Sequence, residues 1–204
     1  MREGLKAIAR ATATVVVAPA LASYYLRSLV LGRDRALEGS TQLLALLPGL
    51  IGQYLRRAFL ARTLARCAPS ALIEFGTIFS DTGTRIDDNV YLGPRCHIGL
   101  AHFERNVLVS PGVHVPSGRL THGIGDASVP IRDQRGRREL VRIGEGSWIG
   151  STAVIMADIG RNTIIGAAAV VTKPIPDAVV AGGVPARILK SRSGGRTDAS
   201  PRSA

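Results

Sequence analysis

The sequence predicts an all-β solenoid, a parallel β-helix, with a helical segment before it. Two observations carry this prediction. From Ile143 to Val171 a branched aliphatic residue returns at a six-residue spacing with one shorter step, and glycine often follows it. A helix gives a period of 3.6 and a strand a period of 2.0, whereas self-similarity at six residues is typical of a β-helix. Aromatic residues make up only 4% of the chain, and this composition suits a narrow interior of small side chains.

The repeat can be followed back to residue 73, and we call the recurring residues repeat positions. We expect their side chains to point inward and the glycines after them to occupy tight corners with positive φ. Three positions per turn give fewer than five coils. The repeat positions are Ile73, Phe79, Ile86, Leu92, Ile98, Phe103, Val109, Val115, Ile143, Ile149, Ile155, Ile159, Ile165 and Val171.

Residues 116–142 interrupt the repeat, and we call this segment the excursion. It contains Pro116, Gly118, Gly123 and Pro130, together with a charged run at 132–138. A loop of this length inside a compact domain is usually functional or disordered. Because the repeat resumes in register after it, we predict that the excursion carries function.

Residues 1–68 are predicted to be helical and partly hydrophobic. The largely uncharged stretch Ala11–Leu26 has sixteen residues, fewer than the roughly 20 that span a bilayer as a helix. It could pack on a neighbouring subunit, lie in or re-enter a membrane surface, or span it. In a second apolar stretch, Leu43–Leu55, the pair Pro48-Gly49 should break the helix. The basic residues that follow could touch acidic headgroups or form a solvated face: Arg56, Arg57, Arg62 and Arg66.

The net charge of +11 and the pI near 10.9 indicate an anionic partner: nucleic acid, an acidic lipid surface or a phosphorylated cofactor. We expect no nucleic acid, since no basic platform interleaved with aromatic residues is present and the charge is spread over the chain ends. Cys67 and Cys96 form neither a metal-binding pair nor a disulfide framework. With no cleavable signal in view, we expect a cytoplasmic protein that could be peripheral to the inner face of the membrane.

Three further motifs are more specific than the repeat. They are Trp148-Ile149-Gly150-Ser151, Val171-Thr172-Lys173 followed by Pro176, and the segment 181–187 with its Gly-Gly-Val-Pro-Ala-Arg ending. With these motifs, residues 70–190 resemble the hexapeptide-repeat acyltransferases. The resemblance implies a left-handed parallel β-helix, a homotrimer with active sites between subunits, and acetyl-CoA as co-substrate. The sequence around residues 48–57 also resembles members that modify surface polysaccharides.

The segment Ser117–His122 resembles the family's loop ending in the catalytic histidine, which implies that His122 is the general base. A hydroxyl group is a weak nucleophile, and histidine titrates near neutral pH. By the same resemblance, Ser151, Ala167 and Thr172 would lie along the pantetheine arm and Trp148 would form an apolar wall. Charge for the CoA phosphates would come from Lys173, Arg187 and Lys190. The acceptor, expected to be a saccharide, could be held by Arg119, Asp126 and Arg132; Asp126 could instead orient His122.

Three more histidines, His97, His102 and His114, each precede a repeat position. His97 and His114 are three positions apart, so they should stack on one outer face. The His97-x4-His102 spacing is also similar to the γ-class carbonic anhydrases, which bind metal between subunits; the other alternative is a non-catalytic scaffold. We favour an O-acetyltransferase without a metal, in surface polysaccharide biosynthesis. The expected domains are 1–68, 69–190 for the β-helix, and a disordered basic tail at 191–204.

Overall fold

Four helices precede the solenoid in the computed structural model, which describes residues 2–192 but not the side chains of residues 2, 3, 5 and 6. They are α1 (Arg2–Val16), α2 (Ala18–Leu31), α3 (Arg33–Ala45) and α4 (Gly49–Thr63). The break after α1 is explained by Pro19, whose ring cannot donate to the carbonyl of Val15. The break before α4 falls at Pro48-Gly49, as predicted. Most of the tail predicted to be disordered, from residue 193 onward, lies outside the described residues.

Short parallel strands then form the three faces of a left-handed β-helix, which confirms the predicted fold. The first sheet contains β1 (Arg66–Cys67), β4 (Arg85–Ile86), β7 (Ala101–Phe103) and β10 (Val141–Ile143). The second contains β2 (Leu72–Ile73), β5 (Tyr91–Leu92), β8 (Leu108–Val109), β11 (Trp148–Ile149), β13 (Ile164–Ile165) and β15 (Val179–Gly182), with β16 (Arg187–Ser191) antiparallel at its edge. The third contains β3 (Ile78–Phe79), β6 (His97–Ile98), β9 (His114–Val115), β12 (Val154–Ile155) and β14 (Val170–Val171).

All fourteen repeat positions are buried in the interior of the solenoid. The coil number, however, is about six, and the prediction of fewer than five was wrong. The coils that were missed hold Cys67 at the start and Ile175 and Ala181 at the end. Cysteine and alanine can occupy a repeat position without being branched aliphatic residues, so the periodic signal fades at both ends of the solenoid.

The glycines after the repeat positions have a different role from the one predicted. At Gly144, Gly150 and Gly160 an added Cβ would lie within 2.4–2.6 Å of a backbone nitrogen in the next coil. These glycines therefore allow successive coils to approach closely. Positive φ falls elsewhere in the corners, often two residues before a strand, as at Asn106 and Asn162.

Helices α3 and α4 cover the first coil of the solenoid. Thr41 Oγ1 accepts a hydrogen bond from the Phe79 backbone nitrogen at 3.1 Å. Arg56, only 2% exposed, donates to the carbonyl oxygens of Ile73, Leu44 and Leu47. The basic run is predicted to contact headgroups or to form a solvated face, but this arginine joins two helices to the β-helix.

Part of the helical segment leaves apolar side chains exposed. The most exposed are Leu29 and Val30 at the end of α2, each with 83% of its surface accessible. Within the described residues, no single helix combines the length and hydropathy needed to cross a membrane. The part of α1 from Ala7 meets the same criterion only when taken together with α2, to which it is joined at a 48° bend.

Candidate functional site

The excursion leaves the corner after the third sheet and folds back along itself. The Glu139 backbone nitrogen donates to the Ser117 carbonyl oxygen at 2.8 Å, so the outgoing and returning segments are paired. Ser117 is buried, and its Oγ accepts a hydrogen bond from the Leu100 backbone nitrogen at 2.8 Å. Both ends of the excursion are thereby fixed to the solenoid at the same level.

Arg138 ties the returning segment to two other parts of the chain. Its Nη1 contacts Asp34 Oδ2 in α3 at 2.8 Å and Asp81 Oδ2 in the first coil at 3.1 Å. Burial raises the pKa of Asp34, but hydrogen bonds from Thr82 and the charge of Arg138 outweigh it, so the net pKa is lowered. The ion pairs therefore persist at neutral pH and hold the excursion against the first coils.

His122 lies in a cavity of about 260 Å³ at this corner, together with His97 and His114. The cavity lies between the outward face of the third sheet and the excursion, and His122 is exposed. It is also lined by Ser80, Gly99, Val115, Pro116, Ser117, Thr121 and Arg138. Three imidazoles, two from the third sheet and one from the excursion, thus line one cleft.

His97 and His114 stack on successive coils, as predicted. Their ring centroids are 4.9 Å apart with an interplanar angle of 31°. His97 Nε2 is buried and has no hydrogen-bond partner among the described residues. Burial, and secondarily the neighbouring His97, lowers the pKa of His114, because both disfavour the charged imidazolium. His114 is therefore neutral at pH 7.

A larger cavity of about 460 Å³ is lined by Arg119 of the excursion and by Thr172 and Lys173 of the corner after β14. Two acidic residues, Glu139 and Asp158, also line it, and Asp158 accepts a hydrogen bond from the Arg142 backbone nitrogen at 2.8 Å. The excursion contributes to both cavities: Arg119 and Glu139 face this one, and Thr121 and Arg138 face the histidines.

The other predicted donor residues lie on a different edge of the prism. Trp148 is in the second sheet, 45% exposed, and its indole Nε1 donates to Ser110 Oγ at 2.9 Å. Ser151 and Ala167 lie in the corner between the second and third sheets, where the Ala168 nitrogen donates to the Ser151 carbonyl oxygen. Within one chain, the width of the third sheet therefore lies between Trp148, Ser151 and Ala167 on one side and Thr172 and Lys173 on the other.

The remaining predicted residues are exposed. Arg187 and Lys190 are in β16, opposite Gly182 and Val180. Asp126 Oδ1 accepts hydrogen bonds from the nitrogen and the hydroxyl of Ser128, which form a local turn and lower the pKa of this carboxyl.

In the described part of the chain, residues 2–192, Asp126 makes no hydrogen bond with His122. Arg132 is 88% exposed in its side chain, 3.8 Å from Asp133.

His102 lies apart from the other histidines. It projects from the first sheet, and its Nε2 lies 3.0 Å from Asp87 Oδ2. The other carboxylate oxygen, Asp87 Oδ1, pairs with Arg66. The His97-x4-His102 spacing thus places the two imidazoles on different faces of one chain. Among residues 2–192, no group of three or more His, Cys, Asp or Glu is arranged to hold a metal ion.

The partners that position the excursion were not predicted from the sequence. Arg138 was part of a charged run, and Asp34 and Asp81 were not singled out. Their separation from Arg138 by 104 and 57 residues leaves no local signal. The stacking of His97 and His114 was predicted from the six-residue period alone.

Comparison with known proteins finds partial similarity to acetyltransferases. No family model matches the chain. The probable acetyltransferase Rv3034c of Mycobacterium tuberculosis is 40% identical over 73 residues, which are 35% of this chain and 24% of that protein. The galactoside O-acetyltransferase of Escherichia coli is 36% identical over 116 residues, 56% of this chain and 47% of that one. The chain thus spans less than half the length of these two relatives.

A solved structure, a galactoside acetyltransferase in complex with coenzyme A, superposes with a TM-score of 0.55. The alignment covers 78% of this chain and 80% of that one, at 23% sequence identity. At this identity the likeness concerns the fold alone.

Proposed function

Because this chain belongs to the hexapeptide-repeat acyltransferase family, we propose that it is a CoA-dependent O-acyltransferase that moves an acetyl group from acetyl-CoA to a hydroxyl of a saccharide. The relatives named above support the reaction and the acceptor class, since one is a galactoside O-acetyltransferase. The observation that carries the proposal is the cleft in which His122, on the excursion, faces the third sheet beside a second cavity lined by Arg119 and Lys173.

In the proposed reaction, His122 removes the proton of the acceptor hydroxyl while the oxygen attacks the thioester carbonyl carbon. The carbon–sulfur bond then breaks, and the thiolate takes up the proton to leave as CoA thiol. A base placed in this way typically contributes about 10²–10⁴-fold to the rate. His97 and His114 form the opposite wall of the same cleft, and the lowered pKa of His114 keeps positive charge off that wall at neutral pH.

The donor's phosphates are assigned to the larger cavity and its surroundings. Lys173 and Arg119 supply positive charge there, and Thr172 adds a hydroxyl. Guanidinium and ammonium groups suit phosphate because they combine charge with several N–H donors. We assign Arg187 and Lys190, exposed on β16, to the outer end of the same donor.

We further propose that the active enzyme is a homotrimer. Trp148, Ser151 and Ala167 lie on one edge of the prism, and Thr172 and Lys173 lie on another. A second copy beside the first would place its Thr172 and Lys173 near Trp148, Ser151 and Ala167 of the first. Acetyl-CoA bound between the subunits would then contact both groups of residues. The outward face of the second sheet, with the half-exposed Leu72, Leu108 and Trp148, offers apolar surface for such packing.

The biological acceptor is proposed to be a surface polysaccharide or its precursor, modified in the cytoplasm at the inner face of the membrane. Exposed Leu26, Leu29 and Val30 lie on α2, and the exposed Arg33 and Arg35 follow them. Apolar side chains bordered by arginines suit the surface of an acidic bilayer. The net charge of +11 supports the same partner.

The test is an assay of CoA release from acetyl-CoA against a panel of galactosides, other sugars and nucleotide sugars, with and without detergent. Acceptor-dependent release would support the proposal. Flotation with vesicles of acidic and of neutral lipids tests the membrane assignment separately, and sedimentation tests the trimer. Binding of acetyl-CoA without transfer to any hydroxyl in the panel would contradict the acceptor class, and absence of CoA binding would favour a scaffold.

A further inference from the structure

Arg56 and Arg57 are adjacent in α4, and both are buried, but only Arg56 is held by the protein. Arg56 donates to three backbone carbonyl oxygens. Arg57 is 9% exposed and forms no hydrogen bond or ion pair with any residue that the structure describes. Burial lowers the pKa of Arg57; Cys67 and Tyr54 act against this, and the nearby Arg10 and Arg62 add to it. A buried charge without a counter-charge destabilises a fold. An anionic ligand beside Arg57 would supply the missing counter-charge.

Arg57 lines a cavity of about 300 Å³ between the helices and the first coils. Arg10 of α1 lines the same cavity, as does Tyr54, whose hydroxyl is a hydrogen-bond donor. Gln53, Ser70 and Asn89 complete the polar wall, and no carboxylate belongs to the described lining. Asp88, which accepts a hydrogen bond from Ser70 at 2.8 Å, is already paired with Arg66 at 3.3 Å.

We propose that this cavity is a binding site for a phosphate ester, with Arg57 and Arg10 as its principal ligands. Two guanidinium groups require about two negative charges, and a phosphate monoester carries −1.5 to −2 at pH 7. The planar guanidinium also matches the geometry of phosphate oxygens. A carboxylate would leave one of the two cations uncompensated.

The walls of the cavity also suggest what the phosphate is attached to. Leu50 and Leu72 line it and are 66% and 47% exposed, and Ile51 beside Leu50 is 76% exposed. A phosphate held by Arg57 could therefore extend an apolar substituent over these leucines. A lipid phosphate and a free phosphate share the same head chemistry, and the experiment below distinguishes them.

This site is separate from the proposed active site and does not depend on it. Ser70 and Asn89 belong to the first corners of the solenoid, whereas Thr172 and Lys173 belong to the corner after β14. The basic run was predicted to form a solvated face or to contact headgroups. It instead contains Arg56, which the protein holds, and Arg57, which is available to a ligand.

The test compares Arg57→Gln with Arg62→Gln, which removes the same charge from an exposed position on the same helix. Lys173→Gln, which weakens the proposed donor site, shows how much of the phosphate signal comes from that site instead. Pyrophosphate is titrated against the full-length protein, with the thermal midpoint as readout, because a ligand of the native state raises it. Vesicles of phosphatidylcholine, with and without phosphatidic acid, form the second arm.

We expect Arg57→Gln to weaken phosphate binding by at least about tenfold, because a hydrogen bond to a charged group is lost, while Arg62→Gln stays within about twofold of wild type. Arg10→Gln should give a smaller loss in the same direction. Without ligand, Arg57→Gln should melt no lower than wild type, because it removes an unpaired buried charge.

If Arg57→Gln weakens binding to the phosphatidic acid vesicles alone, the ligand is a lipid phosphate. If it also weakens binding of pyrophosphate, the ligand is a free phosphate. Equal binding by wild type and Arg57→Gln in both arms, or an equal loss in Arg62→Gln, would overturn the proposal. If Arg57→Gln fails to fold, Arg10→Gln, which removes the second guanidinium of the cavity, is compared with Arg62→Gln in the same two arms.

Discussion

Arg138 Nη1 lies 3.1 Å from Asp81 Oδ2, and this ion pair joins the excursion to a corner of the first coils. Asp81 is buried, whereas the Arg138 side chain is about half exposed and pairs with Asp34 as well. Since His122 and Arg138 line the same cavity, the position of the proposed base depends on a contact outside the reacting groups.

Replacing Arg138 by Met should therefore lower kcat more than it changes the KM for acetyl-CoA. We expect kcat to fall by about tenfold or more, because the excursion loses its anchor and a displaced base catalyses poorly. Arg138→Lys, which keeps the charge, should recover part of the rate. If Arg138→Met changes only the thermal midpoint and leaves kcat intact, the ion pair is merely structural.

The stability of the protein should decrease as the pH falls below about 6.5, and His114 should be one cause. Its pKa is lowered in the folded state, so the unfolded chain binds more protons between pH 6.5 and that lower value. The free energy of unfolding therefore rises with pH in this window. Urea unfolding at pH 5.5 and 7.5 should show a smaller difference for His114→Gln than for wild type. An unchanged difference would contradict the assignment. The lowered pKa of Asp34 adds a second loss of stability only below about pH 3.8.

The glycines that follow repeat positions provide a test of coil packing. At Gly150 an added Cβ would lie 2.5 Å from the Ala167 nitrogen, whereas at Gly166 the nearest atom is 3.6 Å away. Gly150→Ala should destabilise the protein by about 1–3 kcal/mol, as overpacking does, and Gly166→Ala by much less. Chemical denaturation of the two variants measures the difference. Equal effects would mean that the loss of glycine itself, not the approach of the coils, sets the cost.

Lys173 is expected to act on binding of the donor. Lys173→Gln should raise the KM for acetyl-CoA by about tenfold with little change in kcat, because a phosphate contact made equally in the ground and transition states affects binding alone. Lys190→Gln, on the exposed β16, should have a weaker effect of the same kind. A fall in kcat at unchanged KM for Lys173→Gln would place this residue nearer the reacting atoms than we propose.

The sequence predicts the solenoid because its repeat is local. Each repeat position from Ile73 to Val171 is recognised from its neighbours in the chain, and the stacking of His97 on His114 follows by counting. Where the local pattern weakens, the prediction fails. Cys67 and Ala181 occupy repeat positions without the expected side chain, so the number of coils was underestimated.

The parts that could not be predicted depend on contacts between distant residues. The burial of Arg56 and Arg57 comes from packing of α4 on the first coils, and the sequence shows only a basic run. The anchoring of Arg138 joins residues 104 apart. The separation of Trp148 from Lys173 becomes visible only when the three faces of the prism are assigned. This separation is the reason for proposing a site between subunits.

The most direct measurement is the rate of acetyl-CoA-dependent transfer to a saccharide hydroxyl by His122→Ala. The variant should retain the wild-type thermal midpoint and sedimentation behaviour, because His122 is exposed on the excursion and supports no core contact. We predict that turnover falls by about 10²–10⁴-fold while acetyl-CoA still binds. The account would be contradicted by a folded His122→Ala enzyme with turnover within about threefold of wild type, because loss of a general base costs far more.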